Sequence, residues 1–201
     1  MRTGYSLAQV AKSTGLPTRT IQFWTVEGVL NATGDSQRRG PGKHRRYSFD
    51  EIKIAAVLAE IQNFQLRVGA LISVSEYLRD IFKAGDELGF EDPGHAERHL
   101  DDHYSKRKKS GLKDRDRIRL SQWAAFETSK KMDGRATVLG IYINDDGECT
   151  AEVFAGDVTD PKQPGRFGEL LLNNRSGLVI SIGDVLYELE GRMIGLGMID
   201  T

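Results

Sequence analysis

Apolar positions recur at helical spacing through the first 130 residues and at strand spacing beyond them. Ser6 opens the first run as an N-cap, with Leu7, Val10 and Ala11 at i, i+3 and i+4. Gly15 stops that run, Leu16 packs into the turn, and Pro17 suits the first turn of a second helix. The second helix, residues 18–27, carries Ile21 and Trp24 and ends at Gly28, ahead of Val29 and Leu30. Two short helices joined by a tight glycine-containing turn make a helix-turn-helix unit. Phe23 and Trp24 are adjacent and cannot share a face, so Trp24 is assigned to the core and Phe23 to the exposed edge.

Residues 31–43 are polar and turn-rich, and lead into His44-Arg45-Arg46-Tyr47. Ser48 with Glu51 reads as a capping box for a helix over 49–63 that buries Ile52, Ala55, Ala56 and Ala59 on one side. A strongly apolar helix follows at 66–83, with Leu66, Ala70, Leu71, Val74, Leu78 and Ile81. Residues 84–94 read as a loop, and helical character resumes at 95–104 and 113–132. Past Asp133-Gly134 the period changes. A hairpin is predicted from strands at 136–143 and 149–154 around a turn at 144–147. After a Pro/Gly loop at 161–168, short strands are predicted at 169–172, 178–182, 185–189 and 192–195. The fold class is therefore α+β in three parts: a helix-turn-helix domain over 1–83, a helical linker over 84–132, and a small β-rich domain over 133–201.

No apolar run approaches the roughly 20 residues that span a bilayer, so no membrane contact is expected. The first residues lack the apolar stretch of a secretory signal, and a cytoplasmic, nucleoid-associated location follows as an expectation. One cysteine, Cys149, excludes an intramolecular disulfide framework and any zinc site built on several thiolates. The net charge of -1 hides an asymmetry: residues 1–50 carry +5, residues 51–132 carry +1 and residues 133–201 carry -7. The first segment thus suits a polyanion, and the last suits something else.

Four pieces carry a resemblance: Tyr5-Ser6-Leu7-Ala8-Gln9-Val10-Ala11, Gly15-Leu16-Pro17-Thr18-Arg19-Thr20-Ile21-Gln22-Phe23-Trp24, Glu27-Gly28-Val29-Leu30, and His44-Arg45-Arg46-Tyr47-Ser48 followed by Asp50-Glu51-Ile52. In order and spacing they resemble the DNA-binding domain of the MerR family of bacterial transcription regulators. The resemblance covers about the first 60 residues well and 61–80 loosely; residues 133–201 resemble nothing recognised. It implies a winged helix-turn-helix whose second helix enters the major groove, and a homodimer on a pseudo-palindromic promoter operator. Partners implied are double-stranded DNA, RNA polymerase and an effector, small molecule or protein, of unknown identity. Where family members usually carry Arg and Glu, this chain has Gln22 and Thr25. The cysteines of the metal-sensing members are missing, which argues against thiolate metal sensing.

Within that motif Thr18 and Arg19 open the helix that faces base edges, with Gln22 one turn on and Phe23 near the backbone edge. Arg38, Arg39, Lys43, His44, Arg45, Arg46 and Tyr47 belong to the wing, where guanidinium groups and a tyrosine hydroxyl suit phosphates. His95, His99 and His103 fall at i, i+4 and i+8 on one helix face and are the only candidates for a metal; no metal or cofactor is assigned. The cation run Lys106-Arg107-Lys108-Lys109, continued by Lys113, Arg115, Arg117 and Arg119, either adds phosphate contacts or is a solvated or packed helix face. No phosphate-binding loop, dinucleotide fingerprint or nucleophile triad is present in the sequence, so no enzyme is expected. The principal reading is a sequence-specific transcription regulator. The alternative is an architectural or plasmid/phage accessory DNA-binding protein of excisionase or partition type.

Overall fold

The computed structural model describes residues 4–33, 45–106, 112–128, 136–143, 149–156 and 176–199. In chain order its elements are β1 (Tyr5–Ser6), α1 (Leu7–Thr14), α2 (Thr18–Val26), β2 (Arg46–Tyr47), α3 (Phe49–Gln62) and α4 (Val68–Leu88). There follow α5 (Pro93–Lys106), α6 (Asp114–Thr128), β3 (Ala136–Ile143), β4 (Cys149–Gly156), β5 (Ser176–Ser181) and α7 (Ile182–Gly195). The fold is α+β. Two compact units emerge, one of Met1–Glu76 with Asp184–Thr201, the other of Tyr77–Gly183.

In the first unit, Ser6 and Gln9 form a reciprocal cap. The Ser6 hydroxyl accepts from the Gln9 N–H at 3.3 Å, while the Gln9 side chain accepts from the Ser6 N–H at 2.9 Å. Gly15 closes α1 in the left-handed region at φ 75, where its N–H donates to the Ala11 carbonyl at 3.0 Å. Pro17 starts α2, and Gly28 (φ 82) turns the chain so that the Leu30 N–H reaches back to the Trp24 carbonyl at 3.1 Å. The sequence reading puts one side of α3 in the core, but this helix is buried all the way round from Glu51 to Leu58. It is the central element of the unit. Lys53, 4 % exposed, is held by Asp50 at 3.2 Å and lies over the Phe49 ring.

The short strands expected at 185–189 and 192–195 are instead one helix, α7. Val185, Leu186, Leu189 and Met193 are buried along it, while Tyr187 and Ile194 face solvent. These apolar residues follow the helical period once the whole segment is counted together. Burying that face outweighs the weak helix propensity of Gly191, which on its own reads as a break.

In the second unit, α4 runs through the segment expected to be a loop from residue 84 and ends only at Gly89 (φ 77), where the Phe90 N–H donates to the Gly85 carbonyl at 2.8 Å. Gly85 is not a breaker: it lets the Trp123 indole of α6 approach the α4 backbone, so that a Cβ here would lie under 3.0 Å from three of its ring carbons. One turn before it, Phe82 meets Phe126 edge-on at 4.5 Å. The expected hairpin is present: β3 and β4 pair antiparallel from Ala136↔Gly156 to Ile143↔Cys149, and β5 pairs with the other side of β3. The β4 backbone is further fixed by α4, because the Val153 N–H donates to the Tyr77 hydroxyl at 2.8 Å. The strand expected at 169–172 lies outside the described residues. Among the described residues no helix is long and apolar enough to cross a membrane.

Candidate nucleic-acid interface

Helix α2 sorts its side chains by angle. At 100° per residue, Thr18, Arg19, Gln22, Phe23 and Val26 fall within an arc of about 140°, and all five are exposed. Ile21 and Trp24 point the other way; Trp24 is 3 % exposed against 47 % for Phe23, as their adjacency predicts. The outward face therefore offers a guanidinium, a carboxamide and a hydroxyl in its first turn and a half, with apolar Phe23 and Val26 flanking them. Those are the groups that read base edges: a bidentate fork for guanine and an amide for adenine.

The wing is anchored next to this helix. Strand β2 pairs antiparallel with β1, Tyr5 opposite Tyr47 and Ser6 opposite Arg46. Thr33 at the start of the turn-rich segment donates its N–H to the Arg46 carbonyl at 2.7 Å, which ties the two ends of that segment together. Arg38, Arg39, Lys43 and His44 lie outside the described residues. Arg46 is exposed, and its guanidinium also reaches the Gly4 carbonyl at 3.5 Å. Arg45 stands beside it, half-buried.

Tyr47 departs from the expectation of a phosphate donor. Its ring is fully buried, and its hydroxyl is 2.9 Å from the Thr25 hydroxyl of α2, which in turn donates to the Ile21 carbonyl at 2.7 Å. Tyr47 thus fixes β2 to α2. Thr25, which the sequence marks only as a departure from the family pattern, is the residue that receives it. Glu51 adds a second tie, its carboxylate accepting from the Asn31 N–H at 2.8 Å.

The other sequence-predicted sites belong to the second unit. His95 and His99 each pack against Phe90, ring centroids 5.4 and 5.3 Å away, and the His103 side chain lies outside the described residues. Among the described residues no three His, Cys, Asp or Glu side chains converge as metal ligands. Part of the cation run is spent within its own unit. Arg119 meets Asp80 at 3.0 Å and Glu87 at 2.7 Å, Arg115 meets Asp80 at 3.9 Å, and Arg117 pairs with Asp114. The hydrogen bond from Arg119 holds the Glu87 carboxyl below its ordinary range. Lys106 to Lys109 lie outside the described side chains. Burial pushes the Cys149 thiol up, which leaves it less thiolate and less reactive than a free cysteine.

Residues 5–74 match the family model of the MerR HTH family regulatory protein. No curated protein matches the chain.

Proposed function

We propose that this chain, whose residues 5–74 match the MerR HTH regulatory family, is a dimeric, sequence-specific transcription regulator acting on a pseudo-palindromic promoter operator. The observation that carries this reading is the exposed α2 face, with Arg19 and Gln22 side by side and the basic wing strand anchored against the same helix. A single winged module touches too few base pairs for a unique genomic address, whereas two related by a dyad read both half-sites. RNA polymerase is the further partner that promoter action implies. The -7 charge of residues 133–201 keeps that part of the chain off DNA and suits it to an effector or to the regulation of output.

The test is selection of bound duplexes from a random pool, followed by titration of the selected and a scrambled duplex at several salt concentrations. Arg19→Ala is expected to remove about 1–3 kcal/mol of discrimination between the two duplexes, since it deletes a base-edge fork. Arg46→Ala is expected to weaken both duplexes alike and to reduce the salt slope by about one, since it deletes a phosphate contact. If both variants titrate like the parent, the docking surface is misassigned. Sedimentation of the parent as a concentration-independent monomer that protects one asymmetric half-site would overturn the dimer.

A further inference from the structure

Beside the recognition face lies a groove of about 520 Å³. Helix α2 forms one wall through Arg19, Phe23 and Trp24, and the α3–α4 turn with the start of α4 forms the other through Leu66, Val68 and Leu71. Trp24 and Leu71 are buried and close its depth, while Phe23 stands half-exposed at the edge. Its volume falls within the roughly 300–1,000 Å³ typical of small-molecule sites, and apolar side chains with few polar groups are the usual lining of such sites.

The charge of the groove narrows the ligand. Of all the residues that line it, Arg19 alone is charged, and none is acidic. Among the described residues no carboxylate forms an ion pair with Arg19, so its fork is available to an incoming anion. A guanidinium beside an aromatic and aliphatic wall selects a planar anionic head with an apolar body. A neutral apolar molecule would gain nothing from the guanidinium. A dianion would bring more charge than one fork can meet.

We infer that this groove binds a small amphipathic monoanion, an aromatic or medium-chain carboxylate, and that this ligand competes with DNA for Arg19. The binding half stands on the groove alone; the competition half rests on the DNA-binding reading above. A carboxylate that takes both terminal amino groups of the guanidinium leaves no end-on fork for a guanine edge. Ligand occupancy therefore removes a base contact directly, with no relay through a second unit.

Naphthalene-2-carboxylate and octanoate are the probes, with naphthalene-2-carboxamide as the neutral comparator, titrated by calorimetry and tryptophan fluorescence into the full chain. One saturable site is expected, with the aromatic carboxylate about tenfold tighter than its amide. Arg19→Gln should bring that ratio close to one while the amide still binds. Val68→Phe should abolish binding of all three by filling the groove. Arg19 is solvent-exposed, so its variant keeps the fold and the test survives even where Val68→Phe unfolds. In duplex titrations the apparent DNA Kd of the parent should rise in proportion to carboxylate concentration.

No saturable binding of either carboxylate up to about 10 mM, or binding that Arg19→Gln leaves unchanged, overturns the groove. Carboxylate binding with unaltered DNA affinity overturns the competition. Carboxylate binding of the expected pattern in a protein that selects no duplex leaves the groove standing and removes the DNA-binding reading instead.

Discussion

A chain stopped at Lys131 is expected to lose DNA binding altogether, although every residue of α2 remains. The sequence assigns residues 133–201 to a separate β-rich domain. Asp184–Thr201 cluster with Met1–Glu76 in one compact unit. Leu186, Leu189, Met193 and Met198 are each no more than 5 % exposed, and the Arg192 guanidinium lies 3.6 Å from where a Cβ on Gly15 would sit, at the end of α1. Removing α7 strips that apolar cover from the helix-turn-helix unit. Point variants separate this effect from loss of the sheet. Leu189→Ala should cost about 2–5 kcal/mol, as for other large-to-small changes in a core. Met193→Asp should cost more, since it leaves an unpaired carboxylate buried. Urea unfolding and duplex titration measure both. Parent-like stability and affinity for Met193→Asp would show that α7 is not part of the DNA-binding unit's core.

The second large effect is expected from a single methyl group at Gly85. Helix propensity alone says that Gly85→Ala stabilises α4 by roughly 1 kcal/mol. The added Cβ, however, meets the Trp123 indole under 3.0 Å on three ring carbons, and a ring in a packed core has little room to withdraw. Overpacking of this kind typically costs about 1–3 kcal/mol and sometimes more, so the clash outweighs the propensity. A net loss is the expected result, seen as a fall in the thermal midpoint of about 5–15 °C for a unit of this size. Gly191→Ala provides the contrast. It sits on α7 with nothing within 4 Å of its Cβ position, so only propensity acts there and the sign should be positive. Trp123→Leu in the Gly85→Ala background should recover part of the loss, and the double-mutant cycle isolates the coupling. Equal stability of Gly85→Ala and the parent would mean that the indole is not where the structure places it.

These two cases also mark the limit of what the sequence discloses. The helix-turn-helix is legible because its signals are local. Ser6, Gly15, Pro17, Gly28 and Ser48 each act within a few residues, and all five mark the ends of their helices; at Ser48 the hydroxyl accepts from the Glu51 N–H as a capping box requires, while the Glu51 carboxylate accepts from the Asn31 N–H. The split of Phe23 from Trp24 follows from helical angle alone. Gly85 carries the opposite lesson: a glycine in Ala84-Gly85-Asp86-Glu87 reads as a loop, and only Trp123, far along the chain, explains it as a contact. The same holds for Tyr47, whose hydroxyl reads as a phosphate donor until Thr25 is found beside it. For α7 even the period is visible in Val185, Leu186, Leu189 and Met193. Which surface that face covers is not, because periodicity reports a buried side and never its partner.

The interrupted first unit has a mechanical consequence. Its two pieces lie at opposite ends of this chain, and the second unit is inserted between them. Tension applied at residues 1 and 201 is borne by the contacts between those pieces, while the inserted unit stays off the line of force. Rupture should then be ordered: the DNA-binding unit gives way first, and the β3-centred sheet feels load only afterwards.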